Sequence, residues 1–364
     1  MSDQLAAAPE VLVRREGAVT RITLNRPKAI NALNRSMATT IEAAVRAANL
    51  DGSEAVLLDG AGERGFCGGG DVKAMVAGGP EGALSFLRNE YRADFAVHTS
   101  AIPVVGIMDG VTMGGGIGLT GHSSLRVVTE RSRLAMPETR IGIVPDVGGN
   151  LLLARSPGRL GELLSITSGS MTAGDAIALG FADVYLPSER LSELTEGLLA
   201  GEDPGAVATR LAQPAPESQL LDARAWFDPI ADRALGSPDA TLEDPVAAAV
   251  RLIGELEASA DAPARALAET VRRMCPTSVA VSLAQLARIR RDGLDLAAVL
   301  HDDYRVLARL TRRQDFAEGV RAQLIEKDGA PAWRPATLES VDPLDVARVL
   351  HPSADPGIEP LELG

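Results

Sequence analysis

The sequence 135-AMPETRIGIVPDVGG-149 sets two carboxylates in a loop that proline and glycine interrupt. Glu138 follows Pro137 and Asp146 follows Pro145, so a residue of fixed φ precedes each acid. Apolar residues flank both of them. Carboxylates held in this way are candidates for general acid–base or nucleophilic catalysis.

Two glycine clusters lie upstream, FCGGGD at 66–71 and MGGGIG at 113–118. Backbone without side chains can approach a ligand closely and direct its N–H groups at one oxygen. One glycine triplet alone is readily explained as a turn, but two triplets that each follow an apolar strand favour a pair of N–H donors. We therefore expect an oxyanion site with an acid or base beside it.

The second cluster also matches the dinucleotide fingerprint GxGxxG at 116–121. A dinucleotide-binding turn joins its strand directly to a helix, whereas GVTMG intervenes here. We interpret the match as accidental. The phosphate-binding motif GxxxxGK[ST] does not occur, so a P-loop nucleotide hydrolase is not supported.

The composition is typical of a soluble globular protein, with 46% hydrophobic and 23% charged residues in a chain of 364. The formal net charge of −13 argues against a nucleic-acid partner, because phosphate binding needs clustered Lys and Arg. It does not exclude a phosphorylated ligand, which a few cations and helix N-termini can hold. Cys67 and Cys275 give no disulfide framework, and the four histidines lack metal-ligand spacing, so we predict no metal.

The sequence also indicates where the protein resides. MSDQLAAAPE at 1–10 lacks the basic and apolar parts of a secretory signal, so we predict a cytoplasmic location. Residues 101–121 are mostly apolar over a transmembrane length, but they contain Pro103, Asp109 and seven glycines. Each glycine in a helix interior costs about 1 kcal/mol. We interpret the stretch as a buried strand running into a tight loop and predict no membrane segment.

Strand and helix patterns alternate in the first half of the chain. We predict a hairpin at 11–25, a helix capped by Asn34 or Ser36, a strand from Ala55, a helix at 83–99 and strands at 103–108 and near Ser124. This order is typical of an α/β fold with its sites at the loops that leave strand ends. Beyond about residue 200 the pattern becomes helical, so we predict a core domain at 1–200 and a mainly helical region at 201–364.

The motifs GERGFCGGGDV, DGVTMGGGIGL, MPETRIGIVPDVGG and GDAIALGFAD together resemble the crotonase (enoyl-CoA hydratase/isomerase) superfamily over nearly the whole chain. Within it the chain is most similar to the 3-hydroxyisobutyryl-CoA hydrolase subgroup, whose ending resembles DFAEGVRAQLIEKDGAPAWRPA at 315–336. The resemblance implies a spiral of ββα units followed by a helical C-terminal region. It also implies a site for acyl-coenzyme A thioesters.

Site residues follow from the same resemblance. The backbone N–H groups of Gly68 and Gly115 would form the oxyanion hole. Glu138 would act as nucleophile or as general base on the thioester carbonyl, and Asp146 would orient water or the substrate hydroxyl. Glu90 would accept a hydrogen bond from that hydroxyl. The alternative for Glu90 is a purely structural role, a surface salt bridge with Arg88 or Arg92. The predicted substrate-binding residues are thus Glu90, Gly115, Glu138 and Asp146.

The nucleotide end of coenzyme A would lie against the segment RPKAINAL at 26–33 and the first glycine loop. The predicted contacts are Lys28, Ala29, Gly69, Gly70, Asp71 and Val72. We predict no resident cofactor, since coenzyme A is part of the substrate. Cys67 lies beside this loop with no histidine nearby in sequence, so we interpret it as a packed small hydrophobic residue rather than a nucleophile.

The predicted activity is hydrolysis of 3-hydroxyisobutyryl-CoA, as in valine catabolism. One alternative is an enoyl-CoA hydratase or isomerase, whose first glutamate would fall at Gly118, where no side chain exists to hold water. Another is a noncatalytic acyl-CoA-binding protein. The resemblance also implies a homo-oligomer, a trimer or hexamer, unless the helical region folds back on its own core.

Overall fold

A computed structural model describes residues 8–353, 355 and 357–364. Most of the N-terminal stretch on which the location was predicted lies outside the described residues. The strands are β1 Val11–Glu16, β2 Val19–Leu24, β3 Ala55–Gly60, β4 Val104–Met108, β5 Val111–Met113, β6 Leu125–Val128, β7 Arg133–Ala135, β8 Ser170–Met171 and β9 Val184–Tyr185.

The helices are α1 Arg35–Ala48, α2 Val72–Ala77, α3 Gly79–His98, α4 Gly115–Gly121, α5 Gly149–Arg155, α6 Leu160–Thr167, α7 Ala173–Ala178 and α8 Leu191–Leu199. They continue with α9 Pro204–Leu211, α10 Gln219–Leu235, α11 Pro245–Ala258, α12 Ala262–Val271, α13 Pro276–Asp292, α14 Leu296–Leu310, α15 Gln314–Val320 and α16 Pro343–Val349. One turn of π-helix follows α15 at Arg321–Ile325.

A six-stranded sheet in the order β1-β2-β3-β4-β6-β9 forms the centre of the fold. β1 and β2 are antiparallel, with Val11 opposite Leu24, and the remaining neighbours are parallel. The predicted hairpin is therefore confirmed. The strands of a smaller sheet, β5-β7-β8, alternate along the chain with the last strands of the large sheet, and Glu138 lies in the turn after β7.

Helix α1 shows how local sequence determines these elements. The Asn34 side chain accepts a hydrogen bond from the Met37 amide at 3.0 Å, which caps the helix as predicted. Met37, Ile41 and Val45 then recur at helical spacing and are all buried. This apolar face packs against α3, the helix that carries Glu90.

The apolar stretch 101–121 forms β4, β5 and α4. Every residue of β4 is buried, which confirms the predicted strand. The glycine cluster, however, continues into the short helix α4 rather than a loop. Over the residues that the structure describes, no helix combines the length and apolar character needed to cross a bilayer.

From Leu191 onward every described element is helical. These helices pack back on the first half of the chain: α13 contacts α5 and α6, and α14 contacts α3 and α5. The hydrophobic core accordingly includes Leu58 and Leu164 together with Leu252, Leu307 and Leu363. An α/β core with a helical C-terminal region is thus confirmed, while the boundary near residue 200 stays a prediction.

Candidate active site

A cavity of about 290 Å³ opens where the first glycine loop, α3, the start of α4 and the turn after β7 meet. The predicted site residues that line it are Gly68, Gly69, Gly70, Val72, Glu90, Gly115, Glu138 and Asp146. Lys28, Ala29 and Asp71 do not line it. The structure therefore brings together the predicted catalytic and substrate-binding residues, which come from four separate parts of the chain.

The second glycine cluster positions a free amide at this cavity. Gly114 has φ 47° and ψ −118°, a backbone conformation that essentially only glycine adopts. Its N–H donates to the carbonyl of Ala135 at 3.1 Å, and the chain then turns directly into α4. Gly115 is the first residue of that helix, and the first N–H groups of a helix have no intrahelical acceptor. The amide of Gly115 is consequently available to a ligand.

The first glycine cluster differs from the prediction. The N–H of Gly68 donates to the carbonyl of Ile30 at 2.7 Å, so this amide is not available for an oxyanion. The N–H of Gly69 points to the sulfur of Cys67 at 3.4 Å. Within the described residues, the amide of Gly70 makes no hydrogen bond. The assignment of Gly68 as an oxyanion donor is therefore wrong in this arrangement, and the free amide of this loop is that of Gly70.

The segment 26–33 holds the first glycine loop in place. Asn31, which is buried and has φ 54°, donates through Nδ2 to the carbonyls of Ala61 and Phe66, each at 3.0 Å. Leu33 donates to Gly69 O at 2.8 Å and accepts from the amide of Asp71 at 2.7 Å. These bonds fix the loop as a short ladder beside the cavity.

Three of the predicted coenzyme A contacts lie outside the cavity. Lys28 and Ala29 lie exposed in the 3₁₀ turn Pro27–Ala29. The Asp71 side chain caps α2 by accepting from Ala74 N at 3.2 Å, and it pairs with Arg26 at 3.2 Å. Their contacts with the nucleotide stay predictions.

Glu138 begins the 3₁₀ turn Glu138–Ile141 directly after β7. Its Oε1 lies against the start of α4, 2.9 Å from where a Cβ on Gly114 would be. Its Oε2 is buried and finds no hydrogen-bond partner among the described residues. Burial, and next the negative charge of Asp146, raise the pKa of Glu138 well above its ordinary value.

Asp146 receives a hydrogen bond from the hydroxyl of Tyr91 at 2.6 Å. Burial raises the pKa of Asp146 to about 7, although the hydrogen bond from Tyr91 opposes that rise. Sequence reasoning did not single out Tyr91. The local sequence around Tyr91 does not predict this contact, because only the packing of α3 on the 145–149 loop brings the Tyr91 hydroxyl to the Asp146 carboxyl.

The backbone after Asp146 is unusual, since Val147 has φ 52° and Gly148 has φ 74°. A buried acid of α14 holds this bend. Asp303 accepts from the Gly148 amide and from Asn150 Nδ2, each at 3.2 Å. The helical C-terminal region thus supports the loop that carries Asp146.

Glu90 is buried, with 3% of its surface exposed, and lines the cavity. A Cβ on Gly115 would overlap Glu90 Oε1, so glycine is required there. Arg88 instead pairs with Glu359 at 2.6 Å and Arg92 with Glu42 at 3.1 Å. The alternative of a surface salt bridge is therefore wrong. Burial, followed by the charge of Asp146, raises the pKa of Glu90 well above its ordinary value.

In the described part of the chain, Glu90, Glu138 and Asp146 form no ion pair, although Arg140 also lines the cavity. The charge of Asp146 adds to burial in raising the pKa of both Glu90 and Glu138, so ionisation of all three acids needs a higher pH than that of separate carboxyls. Cys67 remains a thiol, because burial raises its pKa to about 12. This agrees with its interpretation as a packed residue.

The C-terminal region also contributes to the wall of the cavity. Gln323 and Leu324, in the π-helical turn, line it together with Ile141 and Ile143. Neither of the two C-terminal residues was predicted, since nothing in the local pattern shows that this segment returns to the active site. No cluster suited to a metal ion occurs among the residues described here.

The sequence matches a known protein family. A family model described as enoyl-CoA hydratase/isomerase matches residues 19–350. The chain belongs to this family. The resemblance that the motifs indicated is thereby confirmed.

Two relatives within the enoyl-CoA hydratase/isomerase family illustrate the similarity. A protein from Gallus gallus named "3-hydroxyisobutyryl-CoA hydrolase, mitochondrial" is 36% identical over 344 residues, which cover 92% of this chain and 87% of the relative. The protein of the same name from Homo sapiens is 35% identical over 354 residues, covering 95% and 89%.

Two solved structures are similar over nearly their whole lengths. A carnitinyl-CoA dehydratase from Mycobacterium thermoresistibile has a TM-score of 0.87 and 37% identity, covering 98% of this chain and 99% of its own. An enoyl-CoA hydratase from Rhodobacter sphaeroides 2.4.1 has a TM-score of 0.83 and 38% identity, covering 94% and 98%. Both similarities confirm the crotonase-like fold.

Proposed function

We propose that this protein hydrolyses the thioester of 3-hydroxyisobutyryl-CoA to 3-hydroxyisobutyrate and coenzyme A. The relatives from Gallus gallus and Homo sapiens carry the name of that activity. The observation that carries the proposal is the position of Glu138: its carboxyl lies beside the start of α4, next to the free amide of Gly115. An acid and an oxyanion donor thus face one cavity.

The oxyanion hole is proposed to consist of the N–H groups of Gly70 and Gly115. Both residues line the cavity, and both amides lack an acceptor in the described structure. Cleavage of a thioester puts negative charge on its carbonyl oxygen, and fixed donors in a water-poor site stabilise that charge. Loss of one such donor costs about 2.7–4 kcal/mol in the transition state.

Glu138 has two chemically balanced routes. As a nucleophile, its carboxylate attacks the carbonyl carbon, the C–S bond breaks, and the departing thiolate takes a proton; water then cleaves the resulting anhydride and restores the carboxylate. As a general base, it removes a proton from water while the water oxygen attacks, and the proton passes to the sulfur as the C–S bond breaks. Either route needs the ionised form of Glu138.

Glu90 and Asp146 are proposed to recognise the β-hydroxyl and to orient water. Asp146 accepts a hydrogen bond from Tyr91, and the Glu90 side chain lines the cavity. Apolar side chains, those of Phe86, Leu87, Ile141 and Ile143, complete the cavity and offer contact surface to a short branched acyl chain.

Thiol release from 3-hydroxyisobutyryl-CoA, measured beside hydration of crotonyl-CoA, tests the proposal. Glu138→Gln keeps the size of the side chain and removes its charge, so thiol release is expected to fall at least about a hundredfold, while coenzyme A still binds. Glu189→Gln, an exposed acid, is the matched control. Hydration of crotonyl-CoA without thiol release would reject the hydrolase, and tight binding without turnover of any thioester would favour a noncatalytic binding protein.

The competing hydratase activity is favoured by the names of the two similar solved structures. The space at Gly118 argues against it. A Cβ there would lie 2.7 Å from Asp94 Oδ2 and 2.7 Å from the Cβ of Val147, so no glutamate fits at that position without displacing them. The two-glutamate arrangement for hydration is therefore not supported.

Location and assembly remain proposals. The relatives' names include the word mitochondrial, whereas a cytoplasmic location was predicted here. A homo-oligomer, a trimer or hexamer, is expected from the family, and light scattering of the purified protein would measure its mass.

A further inference from the structure

A fourth carboxyl, that of Asp94, lies behind the cavity rather than in its lining. It follows Glu90 by one helical turn on α3 and has no exposed surface. Both of its side-chain oxygens are buried, and neither has a hydrogen-bond partner among the described residues. A buried acid with two unsatisfied oxygens is rare and calls for a physical explanation.

The packing of α3 on α4 accounts for its position. A Cβ on Gly115 would overlap Glu90 Oε1, and a Cβ on Gly118 would lie 2.7 Å from Asp94 Oδ2. The two acids are four residues apart on α3 and the two glycines three apart on α4, so each pair occupies one helix face. Glu90 thus packs against Gly115 and Asp94 against Gly118. The Asp94 carboxyl occupies the space that a side chain at position 118 would need.

The surroundings of Asp94 favour its neutral form. The titratable groups that face it are Glu90 on its own helix, Asp146 from the loop after the 3₁₀ turn, and Cys67 from the first glycine loop. Two of them are acids, the third is a thiol, and no cation pairs with Asp94 in the part of the chain described here. Helix α4, GGIGLTG, contributes no titratable group. Burial, then the charges of Glu90 and Asp146, raise the pKa of Asp94 well above its ordinary value.

We propose that Asp94 is a positioning residue that stays protonated and donates its carboxyl proton to Glu90, which keeps Glu90 ionised to accept the β-hydroxyl of the substrate. Glu90 Oε1 is likewise buried without a partner, so one shared proton satisfies an oxygen of each acid. This assignment rests on the proposed hydrolase function. It extends the site behind the cavity, to a residue that the substrate does not touch.

Two substitutions at position 94 separate the effect of the hydrogen-bond donor from the effect of side-chain volume. Asp94→Asn keeps an N–H donor of similar size, whereas Asp94→Leu keeps a similar volume and has no donor. With 3-hydroxyisobutyryl-CoA, the Asn variant is expected to retain KM within about threefold, and the Leu variant to raise KM about tenfold or more. Binding of isobutyryl-CoA, which lacks the hydroxyl, is expected to change in neither variant. Equal losses on both thioesters, or equal losses in both variants, would overturn the proposal.

An infrared difference spectrum supplies a readout that does not depend on turnover. At neutral pH, wild-type protein minus the Asn variant is expected to show the carbonyl band of a protonated carboxyl. A carboxylate band in its place would overturn the proposal even if the Leu variant fails to fold. The wild-type thiol-release assay tests the hydrolase function separately, so the two failures are distinguishable.

Discussion

Removal of the Tyr91 hydroxyl should move the acid limb of the pH–rate profile to higher pH. The hydroxyl donates to Asp146 Oδ2 at 2.6 Å, and this bond lowers the pKa of a carboxyl that burial raises to about 7. A hydrogen bond to a charged group contributes about 1.5–3 kcal/mol, and one pH unit corresponds to about 1.4 kcal/mol. Tyr91→Phe is therefore expected to shift the limb upward by about 1–2 pH units.

The direction of this shift depends on which protonation state of Asp146 supports the reaction. The folded-state pKa of Asp146 already lies above the ordinary value, and loss of the donor raises it further, so less of the ionised form exists at any given pH. We infer that Asp146 accepts hydrogen bonds from water and from the substrate hydroxyl as a carboxylate, so the activity that depends on it is then lost at a higher pH than in the wild type. The assay is kcat/KM for thiol release from 3-hydroxyisobutyryl-CoA across the acidic, neutral and mildly alkaline range.

Tyr304→Phe is the matched control. Tyr304 is also buried and packs edge-on against Tyr91, with ring centroids 6.4 Å apart, but its hydroxyl accepts from Arg88 rather than contacting a site acid. This variant should leave the acid limb unchanged. An unmoved limb in Tyr91→Phe, or one displaced to lower pH, would refute the reasoning that this hydroxyl controls the ionisation of Asp146.

Two further changes test the packing and the charge of the site. Gly115→Ala drives a Cβ into Glu90 Oε1 and should lower kcat/KM by about 10- to 100-fold, because displacing a site group by about 1 Å can cost about a hundredfold in rate. Gly82→Ala, on α3 with open space around the new methyl group, is its control, and comparable losses in both would contradict the steric argument. Asp146→Asn should raise the free energy of unfolding by up to about 4 kcal/mol above pH 7, because a carboxyl with a pKa raised from 3.8 to about 7 destabilises the fold as it ionises across that window. Denaturant unfolding below pH 4 and above pH 7 measures this gain, which should vanish on the acidic side.

Local pattern was sufficient for the elements that depend on nearby residues. The hairpin, the Asn34 cap and the buried strand β4 follow from alternation, capping and apolar runs. The acids Glu138 and Asp146 could be found because proline precedes each and apolar residues surround them. Short strands such as β8 and β9 were missed, since two residues carry no detectable period.

Local sequence could not predict which backbone amide of the first glycine cluster is free to bind a ligand. Three consecutive glycines look alike in sequence, and only the carbonyl of Ile30, distant in the chain, decides that Gly68 is engaged and Gly70 is free. Asp94 likewise reads as one polar residue of a helix. Its burial becomes apparent only when α4 presents Gly118 to it, because the glycine leaves the space that the carboxyl fills.

The helical C-terminal region helps to hold the loop that carries Asp146. A β-branched residue in the left-handed region, such as Val147 at φ 52°, costs about 1–3 kcal/mol and persists only where its surroundings impose it. Asp303 of α14 imposes it here, since its carboxyl holds both the Gly148 amide and the side chain of Asn150. Without those bonds the bend could relax and Asp146 would leave the cavity, so the position of that acid depends on a helix that begins about 150 residues later in the chain.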